Sequence, residues 1–400
     1  MKNILYISYC PPYGKALNAG AQTLYYYIRE LTYVKNIKVD VVTYCEDKDL
    51  DALGNEDEKI KYHLVKRPKG LQRFVGRVIS LNSKYNPYHK YCNLMTYYSI
   101  ELLLSKLKEL SSTKYSPDVI FLEWTQIVLL IDKVKTIFPK SRIVASEPDV
   151  TYLSRLRKYE NEKSSIKREY KKIQYKNCKI REIEALKKAD FVFTQSEKDV
   201  HLIVDGNTIN RNKVGIQIPF YHRSELEHKR KNNNILFYGA MNREENSSAV
   251  IWFIDNVMPL LKSIPVKFVV LGGGLTEQLK TRQSEDVIMK GFVPSIDKDF
   301  SEAMCFVCPL VIGAGIKVKV IEALYSNIPV ITNQIGIEGI SAINGKEYIH
   351  CESPEEYANA IINIYHDPDY QLMGRNVVNC EFSLKEAVDN YIKVIQELVV

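Results

Sequence analysis

The strongest constraint on the fold is an alternation between short β-branched runs and longer segments with helical periodicity. This pattern is typical of parallel sheets whose faces are covered by helices. In the first half it predicts strands over 3–8, 38–43, 60–66, 119–122, 143–146 and 191–194, and helices over 21–34, 94–110 and 127–138. A long helical segment, with room for a break, is predicted over 152–188.

The pattern stops at a polar linker over 232–234 and then restarts. It predicts strands over 235–238, 266–271, 287–289, 305–308 and 330–332, and helices over 247–261, 297–303, 316–326, 354–366 and 385–398. Four hundred residues correspond to two or three domains. We therefore predict an α/β protein of two Rossmann-like domains that face a central cleft, where ligands bind beyond the carboxyl ends of the strands.

Composition and charge exclude several classes of protein. The chain is 46% apolar and 26% charged, which excludes a disordered, collagen-like or coiled-coil protein. Its net charge is +7, but residues 151–188 alone hold 13 basic and 5 acidic side chains, or +8, so the remainder is about −1. Because the positive charge is local, we do not expect a nucleic-acid partner.

The eight cysteines do not form a disulfide or zinc pattern. Cys305 and Cys308 form a C-x-x-C, but their segment is predicted to be a short buried strand that ends at Pro309. The N-terminal apolar run is shorter than the 7–15 residues of a secretory signal, and no stretch reaches the 18 apolar residues typical of a membrane span. We expect a cytoplasmic protein with reduced thiols, no metal and no cofactor.

Residues 309–340 carry the most informative motif. A predicted strand ends at Pro309, and a turn containing Gly313 and Gly315 opens a helix with Lys319 and Glu322 on one face. Small residues allow a ligand close to the backbone, and free N–H groups at a helix start attract anions. The segment can therefore hold a diphosphate with ribose hydroxyls beside it. A surface ion pair behind an ordinary helix-opening loop explains the same residues equally well.

Common nucleotide-binding signatures are missing. The residues after the first strand lack the G-x-G-x-x-G of a dinucleotide site, which disfavours an NAD-dependent oxidoreductase. The stretch 339–347 has the wrong spacing for a P-loop. Asp-x-Asp pairs at 47/49, 297/299 and 367/369 are interpreted as helix and turn caps.

The segment 309–340 resembles the donor-binding half of a GT-B glycosyltransferase of the retaining family 4 type. Other segments resemble the family in the same order: 235–261, 266–274 and 287–310 in the second half, and 181–203 in the first. The resemblance covers most of the chain; it is specific over 232–340 and loose before about residue 110. It implies an acceptor-binding domain over 1–220, a nucleotide-sugar-binding domain over 233–380, and a last helix within 381–400 that packs back on the first domain.

The resemblance also implies the donor-site residues. They are Gly239, Arg243, Asn246, Gly273, Phe292, Gly315, Ile316, Lys317, Lys319 and Glu322. Gly20 corresponds to the family's acceptor and diphosphate loop, and Glu322 to its ribose-binding glutamate. Two departures stand out. Ala240 and Glu245 replace an Arg and a Lys of many members, so Arg243, Lys317 and Lys319 are expected to share the diphosphate.

The second departure is Ala314, which replaces the first glutamate of the family's Glu-x7-Glu pattern. Contact to the donor sugar is therefore expected from the backbone near Gly315 and Ile316. Lys319 is expected to stabilise the leaving diphosphate without a metal, and the family implies retention of anomeric configuration. The expected donor is a nucleoside diphosphate sugar, and the expected acceptor is a saccharide or a lipid-linked glycan.

Three carboxylates follow strands in the first half. Glu123, Glu147 and Asp149 stand just beyond predicted strands, where side chains face a ligand crevice. One of them is a candidate to orient or deprotonate an acceptor hydroxyl. Ordinary capping and turn chemistry is the alternative, especially for Asp149 before a long helix. The family often has a histidine in this region, but this chain has none between residues 90 and 200.

The basic segment 152–188 has two interpretations. It is a solvated amphipathic helix, or a surface that attracts anionic lipid or a lipid diphosphate at the inner face of the membrane. The basic and aromatic segment 67–91 could extend that surface. Two other functions are compatible with the sequence: a GT-B-shaped UDP-sugar epimerase, and a catalytically silent nucleotide-sugar-binding partner of another transferase.

Overall fold

The computed structural model describes residues 2–14, 16, 18–54, 59–67, 70–223 and 226–399. The chain forms two compact units. The first consists of Met1–Phe220 with Leu384–Val400, and the second of Tyr221–Ser383. Each unit is built around one parallel sheet, as the alternating pattern predicts.

The first unit contains a seven-stranded sheet of order β3-β2-β1-β4-β5-β6-β7. Its strands are β1 (Lys2–Ser8), β2 (Ile37–Cys45), β3 (Ile60–Lys66), β4 (Val119–Glu123), β5 (Arg142–Glu147), β6 (Phe191–Thr194) and β7 (Val214–Ile216). Its helices are α1 (Ala19–Thr32), α2 (Asp47–Gly54), α3 (Gly70–Tyr85), α4 (Tyr97–Ser112), α5 (Thr125–Val128), α6 (Ile131–Ile137), α7 (Thr151–Glu160), α8 (Ser165–Lys187) and α9 (Glu197–Val204).

The second unit contains a six-stranded sheet of order β10-β9-β8-β11-β12-β13. Its strands are β8 (Asn234–Tyr238), β9 (Lys267–Leu271), β10 (Val287–Gly291), β11 (Cys305–Cys308), β12 (Val330–Thr332) and β13 (Ile349–His350). Its helices are α10 (Glu244–Asn256), α11 (Glu277–Lys280), α12 (Asp297–Glu302), α13 (Val318–Tyr325), α14 (Pro354–His366) and α15 (Gly374–Glu381). Short 3₁₀ turns cover Arg211–Lys213 and Met258–Leu261.

The last helix, α16 (Leu384–Val399), belongs to the first unit. Its Tyr391 is buried, and the hydroxyl groups of Tyr391 and Tyr6 are 2.7 Å apart. The ring of Tyr391 lies 5.7 Å from that of Phe121 and 5.1 Å from that of Phe193, measured between centroids. Aromatic packing therefore joins the C-terminal helix to the centre of the first sheet.

Two predicted helices are each divided in the structure. The predicted helix over 127–138 is α5 followed by α6, and the segment 152–188 is α7 followed by α8. α7 ends at Glu160 with Asn161 as its C-cap, and Ser164 takes an extended conformation before α8. The polar residues between them favour caps and turns over helix interior, which explains the break.

Helix starts differ from the prediction where a residue caps the helix. Thr96 accepts a hydrogen bond from the N–H group of Ser99, so α4 begins at Tyr97 and not at residue 94. Lys317 is extended, so α13 begins at Val318 and Lys319 is its second residue, not a residue one turn in. α3 lies outside every predicted element.

Candidate functional site

The candidate site of the second unit lies at the carboxyl ends of β8 and β11. These strands are paired neighbours, and the strand order reverses between them, because β9 and β10 lie on one side and β12 and β13 on the other. In doubly wound sheets ligands bind beyond such a switch point. The loops that leave it carry Gly239 after β8 and residues 309–317 after β11.

Lys319 is held at this point by two contacts. Its ammonium group donates a hydrogen bond to Oδ1 of Asn246 and lies 4.4 Å from the ring centroid of Phe237. Nδ2 of Asn246 donates to the carbonyl of Ala240 at 2.9 Å. Asn246 is buried, whereas Lys319 is half-buried by its accessible area. Burial lowers the pKa of Lys319 to about 8, so the site contains a poorly solvated cation.

Two glycines make this arrangement sterically possible. A Cβ atom on Gly239 would lie 2.7 Å from Nδ2 of Asn246 and 2.9 Å from the ammonium nitrogen of Lys319. A Cβ atom on Gly272, at the end of the neighbouring strand β9, would lie 1.8 Å from the carbonyl oxygen of Gly239. The two strand ends therefore form a floor that only glycine backbone can occupy.

Glu322 lies on the same helix as Lys319 and is 5% exposed. Its Oε1 accepts a hydrogen bond of 3.2 Å from the backbone N–H of His222. Burial raises the pKa of Glu322 to about 7, against the opposing effects of that hydrogen bond and of Lys319. A carboxyl group in this state can accept and donate hydrogen bonds, which suits it to hydroxyl groups.

Lys317 is engaged within its own turn. Its ammonium group donates to the carbonyls of Ala314 and Gly315, and it lies 3.8 Å from a carboxylate oxygen of Glu338. The side chain is buried, as is Ile316 beside it. Gly315 takes φ +71°, which lets the turn close around the lysine. Lys317 therefore stabilises the turn in this structure.

Arg243 and Phe292 lie at the exposed part of the candidate site. Arg243 forms an ion pair with Glu245, the residue that replaces the family's lysine. Burial opposes ionisation of Glu245, but Arg243 and Lys319 outweigh it and lower the pKa of this carboxyl. Phe292 follows β10 with 69% of its side chain exposed, and a Cβ atom on Gly273 would lie 3.6 Å from the Cβ of Phe292.

The first unit has a matching switch point between β1 and β4. Gly20, in the first turn of α1, lies against the indole of Trp124, since a Cβ atom on Gly20 would be 3.1 Å from Cζ2 of that ring. Trp124 directly follows β4 and has φ +71°. Non-glycine residues in this region are strained and concentrate at functional sites. The sequence shows no signal for this backbone conformation.

Two of the three predicted carboxylates are closed to solvent. Glu123 and Glu147, at the ends of β4 and β5, are 3% and 1% exposed. Among the described residues, neither Oε1 atom has a hydrogen-bond partner. Burial raises the pKa of Glu123 to about 8, and burial beside Glu182 raises the pKa of Glu147 well above its ordinary value. Asp149 is the exposed member of the trio, so it alone faces solvent in this conformation.

Glu182 is a buried carboxylate that sequence reasoning missed. It accepts hydrogen bonds from the backbone N–H groups of Thr151 and Tyr152 at 2.8 and 2.9 Å. It thereby caps α7, whose own N-cap, Val150, has no side-chain acceptor. Thr125 links this cap to Glu147 through hydrogen bonds of 2.5 Å to the carboxylate and 2.6 Å to the hydroxyl of Thr151.

Within the described ranges, no group of three or more His, Cys, Asp or Glu side chains could hold a metal ion. Cys305 and Cys308 form the buried strand β11 predicted from the sequence. Burial raises the pKa of the Cys305 thiol to about 12.

Among the residues that the structure describes, no helix is both long enough and apolar enough to cross a membrane.

Residues 232–367 match the family described as Glycosyl transferases group 1. The matched segment is about a third of the chain. The match lies inside the second unit and includes the switch point with Lys319. This match supports a transferase enzyme, which is the class that the sequence resemblance predicts.

A curated relative and two solved structures are similar over most or all of the chain. An "Uncharacterized 44.6 kDa protein in cps region" of Klebsiella pneumoniae is 26% identical over 338 residues, which cover 79% of this chain and 82% of that protein. Sucrose-phosphate synthase from Thermosynechococcus elongatus has a TM-score of 0.67 at 14% identity, covering 100% and 99% of the two chains.

The second solved structure is HepE from Anabaena in complex with UDP-glucose. It has a TM-score of 0.68 at 11% identity and covers 99% of this chain and 100% of that one. Identities this low establish the fold alone. The fold of this chain is GT-B, with two Rossmann-like α/β units.

Proposed function

We propose that this chain is a glycosyltransferase that transfers a sugar from a nucleoside diphosphate sugar, bound in the second unit, to an acceptor bound in the first. The observation that carries the proposal is the poorly solvated ammonium group of Lys319 above the glycine floor of Gly239 and Gly272. An anion is the ligand that such a cation needs, and backbone without side chains lets a phosphate approach closely.

Lys319 acts on the leaving group in this proposal. When the bond between sugar and diphosphate breaks, negative charge builds on the bridging oxygen, and a fixed cation in a partly dry site stabilises that charge. Asn246 orients the ammonium group, and Arg243 adds a second cation once the diphosphate competes with Glu245 for it. Under this scheme the reaction needs no metal, and family resemblance implies retention of configuration.

The other donor contacts follow from the same geometry. Glu322, buried one turn beyond Lys319, binds the ribose hydroxyls. Phe292, exposed beside Gly273, stacks on the nucleobase. The backbone of Gly315 and Ile316 contacts the donor sugar, while Lys317 maintains the turn that presents it. HepE, a protein of similar fold, binds UDP-glucose, which supports a nucleotide-sugar donor for this chain.

The acceptor side is proposed around Gly20 and Asp149. Asp149 is exposed and follows β5, so its carboxylate orients or deprotonates the acceptor hydroxyl. Glu123 and Glu147 stay protonated and serve as neutral positioning groups behind it. The relative from a cps region supports a role in cell-surface polysaccharide synthesis. We propose a saccharide or lipid-linked glycan as acceptor, used at the cytoplasmic face of the membrane.

The first test is a thermal-shift screen of UDP-, GDP-, ADP- and CMP-sugars, because a ligand that binds the folded state raises its stability by mass action. We expect one nucleotide class to raise the melting temperature of the wild type, and Lys319→Ala to lose that shift. Transfer of a labelled sugar to extracted lipid-linked glycans then tests the reaction. Release of an epimerised or free sugar without any acceptor would overturn it.

A further inference from the structure

α3 presents an apolar face to solvent. Its exposed large hydrophobic residues are Phe74, Val75, Val78, Ile79, Leu81 and Tyr85. At 100° per residue these positions span about 160° of the helix circumference. The opposite side contains Gly76, which is buried and lies within 3.6 Å of Tyr98 of α4 when a Cβ atom is added. α3 is thus attached to the unit by one side, and the six apolar side chains on its other side are 46–66% exposed.

Residues 59–100 contain no acidic residue, while Glu56, Asp57 and Glu58 precede this range and Glu101 follows it. Residues 59–100 include nine basic side chains: Lys59, Lys61, Lys66, Arg67, Lys69, Arg73, Arg77, Lys84 and Lys90. With no Asp or Glu in the same range, the segment carries +9, which exceeds the +7 of the whole protein. An exposed apolar stripe in a predominantly basic segment is typical of a helix that lies in a membrane interface.

The structure places this segment against the second basic segment, 151–188. The hydroxyl of Tyr170 in α8 donates to the carbonyl of Lys84 at 2.8 Å, and Nδ2 of Asn177 donates to the carbonyl of His89 at 3.0 Å. Ile166, one turn before Tyr170 on α8, is 86% exposed. Two basic regions that are far apart in the sequence therefore lie side by side in the first unit.

Charge decides which occupant fits the apolar face. A second copy would bring another strongly basic surface against the first, and like charges oppose that association. An anionic bilayer offers both an apolar interior for the stripe and negative head groups for the lysines and arginines.

We propose that α3 is a membrane-inserting helix: its face of Phe74, Val78 and Ile79 enters the interface of an anionic bilayer while the adjoining α8 surface binds the head groups. This goes beyond the general attraction of a basic helix, because it assigns an element that penetrates the bilayer. It does not depend on the proposed transfer reaction, since the donor-site residues lie in the other unit.

The test uses the full chain and vesicle sedimentation. Wild type is expected to bind vesicles of phosphatidylcholine mixed with phosphatidylglycerol, and to bind phosphatidylcholine alone much more weakly. The double variant Phe74→Ser/Ile79→Ser is expected to lose binding by about tenfold or more. The matched control is Leu260→Ser/Ile343→Ser, which removes two exposed apolar side chains of the second unit and should bind like wild type.

Insertion is measured separately from surface adsorption. In the variant Phe74→Trp, anionic vesicles should shift the added indole emission to shorter wavelength, and brominated lipids should quench it. Equal melting temperatures for wild type and the serine double variant show that both are folded. Unchanged vesicle binding by that variant, or a Phe74→Trp indole that stays fully solvated on vesicles, overturns the proposal. So does a homodimer of the wild type that the double variant abolishes.

Discussion

Lys319 reaches the loop after β8 through Asn246, since the ammonium group donates to Oδ1 of Asn246 and Nδ2 of the same amide donates to the carbonyl of Ala240. One buried amide thus connects Lys319, at the start of α13, to the glycine turn that follows β8. The orientation of the cation is fixed by the fold before any ligand arrives. Preorganised cations of this kind need little rearrangement when charge develops in a transition state.

Replacing Lys319 by alanine should abolish most turnover. Loss of one preorganised group of this kind typically lowers kcat by about 10²–10³-fold. The fold should persist, because Lys319 is only half-buried and alanine is a good helix former. Initial rates and melting temperature measure the two effects. The matched control is Lys262→Ala, an exposed lysine of the same unit. Turnover within a few-fold of wild type for Lys319→Ala would contradict the proposed site.

Donor binding should weaken as the pH rises through about 8, the pKa of Lys319. A bound diphosphate favours the protonated amine, so binding raises this pKa and takes up protons near and above pH 8. Titration calorimetry in buffers of different ionisation enthalpy measures that uptake. Asn246→Asp places a negative charge beside the ammonium group of Lys319 and should raise the pKa of this lysine. The alkaline limb of the kcat/KM profile should therefore move to higher pH. An unmoved limb in this variant would show that another group controls it.

Glu123→Gln should make the protein less sensitive to pH. The folded state holds the pKa of Glu123 at about 8, above its ordinary 4.5. Between these values the unfolded chain ionises while the folded chain keeps its proton, so the free energy of unfolding falls as the pH rises. Glutamine cannot ionise and removes this dependence. Urea unfolding at pH 5 and pH 8 should therefore show a smaller difference for the variant, and an equal difference would refute the assignment.

Tyr391→Phe should destabilise the first unit. The change removes one of two buried hydroxyls that are 2.7 Å apart and leaves that of Tyr6 unsatisfied, which costs about 1–3 kcal/mol. Urea unfolding monitored by circular dichroism gives the difference. Tyr33→Phe, which removes an exposed hydroxyl, is the control and should stay within about 0.5 kcal/mol of wild type. A stability loss confined to the second unit would be inconsistent with the observed packing of α16.

The sequence was sufficient for the parts of the fold that depend on periodicity. β3, β6, β11, β12 and α14 match their predicted bounds, because buried parallel strands and amphipathic helices leave a local signal. α3 left no such signal, since its apolar side faces solvent and its pattern cannot be assigned to a core. The break between α7 and α8 is set by capping residues. A hydrophobic pattern averaged over a whole helix does not detect such single residues.

The candidate site was less accessible to sequence reasoning. Motif and spacing singled out Lys319 and Glu322 as candidates, but they could not show that Lys317 turns back on the carbonyls of its own loop. Glu182 was missed because it caps a helix 31 residues earlier in the chain, and such a contact leaves no spacing pattern. The φ of +71° at Trp124 was also invisible, because it is imposed by tertiary packing and not by residue type.

The glycine floor determines where the specificity of this enzyme can change. A methyl group on Gly272 would overlap the carbonyl of Gly239 at 1.8 Å, so mutational libraries at this position should yield almost only unfolded clones. Phe292, with 69% of its side chain in solvent, has room for many replacements. Laboratory evolution toward another nucleobase should therefore accumulate changes at the end of β10 and leave the ends of β8 and β9 untouched.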